Sequence, residues 1–335
     1  MQTDVVVVGG GVAGIKAACE LCQAGSKCVL VERDSVLGGK LRGWHKLFPS
    51  FTSSSDVIEE LLNELKQSNV ECLLGSEVVY ISSTLCRLAS GTEIQCRAVI
   101  LATGYNLFDA RIKEEYGYGI YDNVITSVDL ERMFHTGTIS TLSGAAPEKV
   151  AILHCVGSRD EKVCQRHCSK VCCITAVKQA IEIKKMLPNS EVFNFYMDMR
   201  MFGPGYEELY LTAQKQYNVH FIRGRISEAA QLPKGRLQIK AEDTLTARPL
   251  IMSVDMLVLM VGMKAPKQNA LFALATGLEL QPSGFISSKD LFLEAVLTSV
   301  PGIFVAGTVT APKTIGESIS EATMASRAAL KFIEG

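Results

Sequence analysis

A run of four valines that leads directly into three spaced glycines constrains the fold of this chain more than any other feature. Val5–Val8 has the β-branched composition of a buried strand, and Gly9, Gly11 and Gly14 follow it at the start of a helical pattern over residues 15–23. Glycines at this spacing allow a tight turn and a close approach of the backbone to a pyrophosphate. Because a helix N-terminus offers free N–H groups, the segment predicts a dinucleotide-binding site.

A second apolar strand, Cys28–Val31, ends at Glu32, which lies 18 residues after Gly14. A carboxylate at this place can accept hydrogen bonds from a ribose 2′-OH. Strands that are apolar on both faces indicate a parallel sheet covered by helices. Because another strand–turn–helix begins at Lys149, the chain is predicted to be an α/β protein with two Rossmann-like dinucleotide-binding-type domains, the second inserted in the first.

The composition excludes several classes of function. With 34 Lys and Arg against 35 Asp and Glu, the net charge is −1, which gives no electrostatic basis for binding nucleic acid. No uninterrupted apolar run reaches about 18–20 residues, so we expect no direct membrane insertion. The first residues lack a basic segment and include Asp4, which indicates a buried strand rather than a signal peptide. We therefore expect a cytoplasmic protein whose cysteines are not paired in disulfides.

Two later segments, AVILATGY at 98–105 and PGIFVAGTVTAPKTIG at 301–316, resemble motifs of two-domain flavoproteins of the glutathione and thioredoxin reductase class. The resemblance implies FAD as the cofactor, although Thr308 stands where that class usually has Asp. A purely structural turn at 306–308 is the alternative for this motif. The implied FAD contacts are Gly9, Gly11, Ala13, Gly14, Glu32, Arg33, Gly39, Lys40, Thr103, Gly104, Gly307, Thr308, Lys313, Thr314 and Ile315.

The second strand–turn–helix lacks the glycine loop that a nicotinamide nucleotide would need. Residues 150–173 contain one glycine, Gly157, and cysteines occupy the carboxyl end of the strand. A doubly wound fold binds its ligand at that end of its strands. We therefore expect no NAD(P) site in this chain.

Five of the eleven cysteines fall within 19 residues of this turn. Cys168 and Cys172 are spaced to lie on one face of a helix, Cys173 is the next residue, and Cys155 ends the preceding strand. Four thiolates from a loop and one helical turn suit a cuboidal iron–sulfur cluster. Zinc, neighbouring histidines as ligands, unliganded structural thiols, and Cys164 as a competing ligand are the alternatives.

Cys19 and Cys22 form a separate CxxC pair on the first helix. The inner face of that helix is expected to pack on the sheet. We therefore interpret both cysteines as small buried core residues.

The segments HCVGSRD at 154–160, HCSKVCCITAVKQA at 167–180 and MDMRMFGPGYEELY at 197–210 resemble the flavin-containing A subunit of heterodisulfide reductases. FIRGR at 221–225 and VAGTVTAPKTI at 305–315 extend this resemblance over nearly the whole chain. It implies a 4Fe-4S cluster beside the FAD and a catalytic lysine, Lys178, at the flavin N5 edge. A surface lysine on an amphipathic helix is the alternative for Lys178. The implied cluster ligands are Cys155, Cys168, Cys172 and Cys173.

The same resemblance implies a domain organisation and a set of partners. Residues 1–115 and 284–335 would form the FAD-binding domain, and residues 116–283 the second domain, which carries the cluster. No CxxCxxCxxxCP run is present, so the chain resembles the short form found in sulfur-oxidising heterodisulfide-reductase-like complexes. The implied partners are B- and C-type subunits, a lipoate-binding protein and a second copy of the chain in a homodimer.

The expected function is electron transfer between FAD and the cluster in sulfur or thiol–disulfide metabolism. The alternatives are the A subunit of a quinone-interacting oxidoreductase complex and, in a different class, a regulator that senses redox state through its cluster. A stand-alone NADPH:disulfide reductase is disfavoured, because the second glycine motif and an active-site CxxC are both missing.

Overall fold

The structure, a computed structural model, describes residues 1–335. The chain divides into two compact units, and the longer segment of unit 2 is inserted into unit 1. Unit 1 comprises Met1–Arg42, Ser55–Asn106 and Lys264–Gly335, and unit 2 comprises Gly43–Ser54 and Leu107–Met263.

The twenty strands, in chain order, are β1 Val5–Val8, β2 Cys28–Val31, β3 Lys46–Leu47, β4 Thr52–Ser53, β5 Glu71–Leu73, β6 Val78–Ile81, β7 Leu85–Leu88, β8 Glu93–Gln95, β9 Ala98–Leu101, β10 Asn106–Leu107, β11 Val124–Thr126, β12 Lys149–Val156, β13 Glu191–Tyr196, β14 His220–Arg223, β15 Ile226–Gln231, β16 Leu237–Asp243, β17 Arg248–Val254, β18 Met256–Val261, β19 Met263–Lys264 and β20 Ile303–Val305. The seven helices are α1 Val12–Gln23, α2 Ser54–Gln67, α3 Ser127–Thr136, α4 Cys172–Met186, α5 Tyr206–Lys215, α6 Gln268–Thr276 and α7 Ile315–Glu334. None of the seven helices has both the length and the apolar character of a bilayer-spanning segment.

Unit 1 is built on a parallel sheet of order β20-β9-β1-β2-β5. The central strand β1 is entirely buried, because helices cover both faces of such a sheet. α7 packs against α1, and the buried Ser326 hydroxyl donates to the Ala17 carbonyl at 3.0 Å. The carboxyl ends of β1 and β2 therefore meet at one edge, beside the N-terminus of α1.

Unit 2 has its own parallel sheet, of order β11-β18-β12-β13-β14, and an antiparallel sheet of β15, β16 and β17. The two Rossmann-like sheets confirm the predicted fold class. β12 is buried almost throughout and loses regular pairing with β18 between Leu153 and Val156. This irregularity opens the carboxyl end of β12 into the cysteine-rich turn.

In the sequence, the boundaries between the two units differ from the predicted domain boundaries. Residues 107–115 belong to unit 2 and residues 264–283 to unit 1. Phe108 packs in the apolar core of unit 2, and Phe272 packs in that of unit 1. Each of these two side chains therefore packs in the core of the unit to which its segment belongs.

Candidate functional site

The glycine loop after β1 is tight at two positions and open at the third. Gly9 has a φ of 109°, and a Cβ there would lie 2.5 Å from the Ala102 carbonyl oxygen. A Cβ on Gly14 would lie 1.7 Å from the Gly9 carbonyl oxygen, whereas no atom lies within 4 Å of one on Gly11. Only glycine fits at positions 9 and 14, and the space at Gly11 lets a ligand approach the N-terminus of α1.

Glu32 lies at the end of β2, and its side chain is held in place by two backbone amides. The Gly10 N–H donates to Glu32 Oε2 at 2.6 Å, and the Asp34 N–H donates to Glu32 Oε1 at 2.8 Å. The residue is only 7% exposed. A carboxylate fixed at this edge of the sheet suits the recognition of a ribose hydroxyl.

A cavity in unit 1 lies at this edge of the sheet. Thr103 Oγ1 is buried in its wall and has no hydrogen-bond partner. Arg33 and Lys40 line the same cavity, together with the carboxylates of Glu32, Asp34 and Glu77. An unpartnered hydroxyl, two cations and an open helix N-terminus fit a pyrophosphate-containing ligand such as FAD. The predicted FAD contacts that line it are Gly9, Gly11, Glu32, Arg33, Gly39, Lys40, Thr103 and Gly104.

The other predicted FAD contacts do not line this cavity. Gly307 approaches α1 so closely that a Cβ on it would lie 2.9 Å from Ala13 Cβ. Lys313 Nζ donates to the Gly307 carbonyl at 3.1 Å and pairs with Glu321 at 2.9 Å. The late motif therefore packs against α1 and caps α7. The predicted FAD contacts outside the cavity lining are Ala13 and Gly14 of α1 and Gly307, Thr308, Lys313, Thr314 and Ile315 of the late motif.

The cavity also has lining residues that the sequence motifs did not indicate. Asp34 and Tyr105 each follow a predicted contact in the sequence, so their position could have indicated them as lining residues. Gln268 comes from α6 and donates to the Val78 carbonyl at 2.7 Å, and no motif marks either residue. The additional polar lining residues are Asp34, Ser76, Glu77, Tyr105 and Gln268.

The cysteine turn of unit 2 differs from the predicted helical arrangement. α4 begins only at Cys172, so Cys168 lies in the loop before it. Lys170 has a φ of 58°, and this left-handed residue keeps the helix from extending back to Cys168. The prediction that Cys168 and Cys172 share one helical face is therefore wrong. Cys164 is exposed at the end of a separate short turn.

The structure nevertheless brings the four predicted cluster ligands together. The Cys172 thiol is hydrogen-bonded to the thiols of Cys155, Cys168 and Cys173. Only Cys168 is partly accessible, and the other three are buried. The backbone N–H of Lys170 also donates to Cys168 Sγ at 3.3 Å. The loop and the helix thus deliver four sulfurs to one place at the end of β12.

These hydrogen bonds give three of the sulfurs thiolate character. The Cys172 thiol lowers the pKa of Cys168 to about 6 and that of Cys173 to about 4, and it also lowers the pKa of Cys155. Its own pKa is raised well above the usual value by the same three hydrogen bonds. Thiolates are the form of cysteine that binds metal.

A buried imidazole stands beside this group. His154 Nε2 lies 3.0 Å from Asn194 Oδ1, and its Nδ1 is buried without a hydrogen-bond partner. Burial opposes a positive charge on His154, but the adjacent Cys173 sulfur raises its pKa.

The four cysteines do not surround a space for a metal, because the other three sulfurs contact Cys172 directly. No three His, Cys, Asp or Glu side chains converge as a single metal ion requires. By donor chemistry, four clustered cysteines fit an iron–sulfur cluster.

Asp160 anchors the turn that carries these cysteines. Its Oδ2 accepts hydrogen bonds from Lys113 Nζ at 2.9 Å and from Arg225 Nη2 at 2.8 Å. The side chains of Asp160 and Lys113 are only 4% and 5% exposed. Burial alone would raise the pKa of Asp160, but the two cations outweigh it and hold that pKa at about 2.

We expect Asp160→Asn to weaken unit 2 in a pH-dependent way. The folded-state pKa of Asp160 lies below its ordinary value of about 4, so the carboxylate stabilises the fold above pH ~4 and this contribution disappears as the pH falls towards 2. The variant should lose about 1–2 kcal/mol at pH 7 and little at about pH 2. Urea unfolding at both pH values measures this, and an equal loss at both would contradict the assignment.

Lys178 is fully buried, with 0% of its side chain exposed. Its Nζ lies 2.7 Å from Glu131 Oε1 and 2.6 Å from Glu182 Oε2. The rings of Trp44 and Phe134 lie 5.7 and 5.5 Å from the ammonium. The alternative of a surface lysine is therefore wrong. A contact between Lys178 and a flavin stays a prediction.

Both carboxylates of this buried network have further donors. The His45 backbone N–H donates to Glu131 Oε2 at 2.9 Å, and His45 Nδ1 lies 2.8 Å from Glu182 Oε1. Gln179 Nε2 donates to Glu131 Oε1 at 2.6 Å. The sequence patterns did not indicate Glu131 or His45, because neither lies in a motif or near Lys178 in the chain.

A family model of pyridine nucleotide-disulphide oxidoreductases matches residues 3–139 and 174–329. The chain belongs to this family. It is a flavin-dependent oxidoreductase by this membership. The unmatched residues 140–173 include β12 and the entire cysteine turn, so the departure from the family pattern is confined to the place where the second glycine motif is missing.

Relatives with curated names are heterodisulfide reductase subunits. The chain is 33% identical to the iron-sulfur A subunit of the CoB--CoM heterodisulfide reductase of Methanocaldococcus jannaschii, over 98% of this chain and 64% of the relative. It is 30% identical to the A subunit of the H(2):CoB-CoM heterodisulfide,ferredoxin reductase of Methanothermobacter marburgensis, over 100% of this chain and 65% of the relative. The chain thus spans slightly less than two-thirds of the length of these relatives.

Solved structures of thioredoxin reductases share the fold. The enzyme from Lactococcus lactis gives a TM-score of 0.71 at 20% identity and covers 99% of both chains. The enzyme from T. acidophilum gives a TM-score of 0.68 at 20% identity, with coverage of 99% of this chain and 98% of the other. At this identity the likeness concerns the fold alone.

Proposed function

We propose that the chain is the FAD- and 4Fe-4S-dependent electron-transfer subunit of a heterodisulfide-reductase-like complex in sulfur or thiol–disulfide metabolism. The observation that carries the proposal is the gathering of four cysteine thiols at the carboxyl end of β12, where a nicotinamide-dependent enzyme would have a glycine loop. Similarity to heterodisulfide reductase A subunits over the whole chain supports it.

In this proposal unit 1 holds FAD. The open position at Gly11 and the N-terminus of α1 receive the pyrophosphate, and Glu32 accepts from the ribose. Arg33 and Lys40 neutralise phosphate charge, and the Thr103 hydroxyl gains a partner. Bound FAD supplies a centre that exchanges electrons in pairs or singly.

Unit 2 holds the cluster through Cys155, Cys168, Cys172 and Cys173. A bound 4Fe-4S cluster supplies one-electron chemistry. Hydrogen bonds with Cys172 lower the pKa of the other three sulfurs, and the thiolate is the form of cysteine that binds metal. Burial excludes water from most of the site. In the same proposal Lys178 stabilises negative charge at the flavin.

The proposed partners are B- and C-type subunits, a lipoate-binding protein and a second copy of the chain. We also propose a cytoplasmic location, where the eleven free thiols of the chain would stay reduced. Electron transfer from the dithionite-reduced protein to a co-purified subunit supports the enzyme role. A change in partner binding caused only by loss of the cluster would instead indicate the redox-sensing regulator.

The first test is the cofactor content of the protein purified without oxygen. We expect one FAD and about four iron atoms per chain, with flavin absorption bands and a broad iron–sulfur shoulder. Iron near zero, or stoichiometric zinc, would contradict the cluster while leaving the FAD proposal intact.

The second test is reduction by nicotinamide nucleotides. The turn after β12 contains a single glycine, Gly157, and a Cβ on it would lie 2.0 Å from Cγ of Phe108. Because the Phe108 ring packs against this turn and no glycine loop is present, we expect neither NADH nor NADPH to bleach the flavin within seconds in stopped flow. Dithionite should bleach it. Rapid bleaching by NADPH would contradict the proposed electron route.

A further inference from the structure

A second group of cysteines lies in unit 1, at the sheet edge opposite the glycine loop. Cys28 begins β2, whereas Glu32 follows its end, and Cys22 lies in the last turn of α1. The side chains of Cys22 and Cys28 are hydrogen-bonded to each other. Because a four-residue strand spans about 13 Å, this pair is separate from the cofactor cavity.

The two thiols differ in exposure and in acidity. Cys22 is half-buried, whereas Cys28 is 5% exposed. The Cys28 thiol and backbone N–H donate to Cys22 and hold its pKa at about 7, although burial opposes this. The pKa of Cys28 is raised well above its usual value by the same hydrogen bond and by burial. An accessible thiolate beside a protected thiol has the reactivity needed for disulfide exchange.

The two other cysteines nearby are engaged elsewhere. Cys19 is fully buried, as predicted, and burial raises its pKa to about 11 while its side chain is hydrogen-bonded to Ser68. Cys72 donates to the Val70 carbonyl at 3.7 Å. The partner of Cys22 is therefore Cys28 rather than Cys19, the residue that the CxxC spacing indicates.

We propose that Cys22 and Cys28 are a thiol–disulfide exchange site that is oxidised reversibly by low-molecular-weight disulfides. The Cys22 thiolate attacks one sulfur of the small disulfide, forms a mixed disulfide and releases one thiolate. Cys28 then loses its proton to solvent, attacks the Cys22 sulfur and expels the second thiolate. Two protein thiols lose two electrons, and the small disulfide is reduced to two thiols.

The experiment uses the intact protein with its cofactors, incubated without oxygen with oxidised glutathione. Remaining thiols are blocked with N-ethylmaleimide, and tryptic peptides are analysed by mass spectrometry. Cleavage after Lys16, Lys27 and Arg33 separates Cys22 from Cys28, so their disulfide joins peptides 17–27 and 28–33. We expect this linked pair in the wild type and its disappearance after reduction.

Variants assign the link to one residue, because Cys19 and Cys22 share a peptide. Cys22→Ser should abolish the linked pair, and Cys19→Ser should retain it. A link that persists in Cys22→Ser, or that joins 28–33 to peptide 67–87 through Cys72, would overturn the proposal. So would its absence from the oxidised wild type, a result that depends on no variant folding.

Cys86 and Cys96 provide a matched control within the same unit. They are also hydrogen-bonded to each other, but they are 0% and 7% exposed. Their disulfide would join peptides 67–87 and 88–97. We expect these thiols to stay reduced while Cys22 and Cys28 react. Equal oxidation of both pairs would show that unfolding, not the exposed Cys22 thiolate, controls the reaction, and would overturn the proposal.

Discussion

Cys155→Ala is expected to lose most of the iron and to keep its FAD. Cys155 lies near the end of β12 with a left-handed φ of 58°, is hydrogen-bonded to Cys172 and is the one cysteine of that strand. Removing one thiolate ligand should lower iron from about four atoms per chain to below one. FAD should remain, because the glycine loop lies in unit 1. Iron analysis, flavin content and the EPR spectrum of the reduced protein measure this.

Cys164→Ala is the matched control. Cys164 lies in the same turn but is exposed at the end of the segment Glu161–Val163, so its replacement should leave iron and FAD unchanged. Cys168→Ala, Cys172→Ala and Cys173→Ala should behave like Cys155→Ala. An unaltered cluster in Cys155→Ala together with loss of iron in Cys164→Ala would exchange these two residues as ligands and would contradict the proposed ligand set.

Lys178→Met is expected to destabilise unit 2 strongly. The substitution removes the cation that lies between Glu131 and Glu182 and leaves both carboxylates buried. Removing one partner of a buried ion pair costs about 3–5 kcal/mol. For a unit of this size, the melting temperature should fall by roughly 10 °C. Differential scanning calorimetry at pH 7 measures the change.

Two further variants test whether the buried ion pairs cause the loss of stability in Lys178→Met. Lys185→Met replaces an exposed lysine of the same helix, which lies over the Phe51 ring, and should change stability by less than about 0.5 kcal/mol. The double variant Lys178→Met/Glu131→Gln should recover part of the loss, because it removes one uncompensated charge. A change of less than 2 °C in Lys178→Met would contradict this account of the network. A shifted flavin reduction potential at equal FAD content would support the predicted contact with the flavin.

Local sequence was sufficient to predict both Rossmann-like units. Val5–Val8 and the glycines after it can form one local structure, a buried strand followed by a tight turn and a helix, because β-branched residues and glycine restrict the backbone within a few residues. The same local reasoning located the cysteine turn after β12 and showed that it lacks a glycine loop. Glu32 followed from its fixed distance to the first glycine motif.

Backbone conformation at single residues and contacts between distant residues decided the rest. Cys168 was predicted to lie on a helix, but α4 begins only at Cys172, after the left-handed Lys170. Tertiary contacts nevertheless bring the four sulfurs together. Lys178 is paired with Glu131, 47 residues away, and this pairing explains how a charged side chain can be fully buried.

The cysteines of α1 show the same division. The spacing of Cys19 and Cys22 indicates two core residues on one helix, and the structure confirms this for Cys19 alone. Only the packing of α1 against β2 gives Cys22 its partner, Cys28. Sequence alone therefore indicated most of the secondary structure and the residue types of both candidate sites, because both depend on local backbone preference and residue chemistry. The tertiary structure decided which ionisable groups are paired, because charge and thiol interactions depend on distance in space.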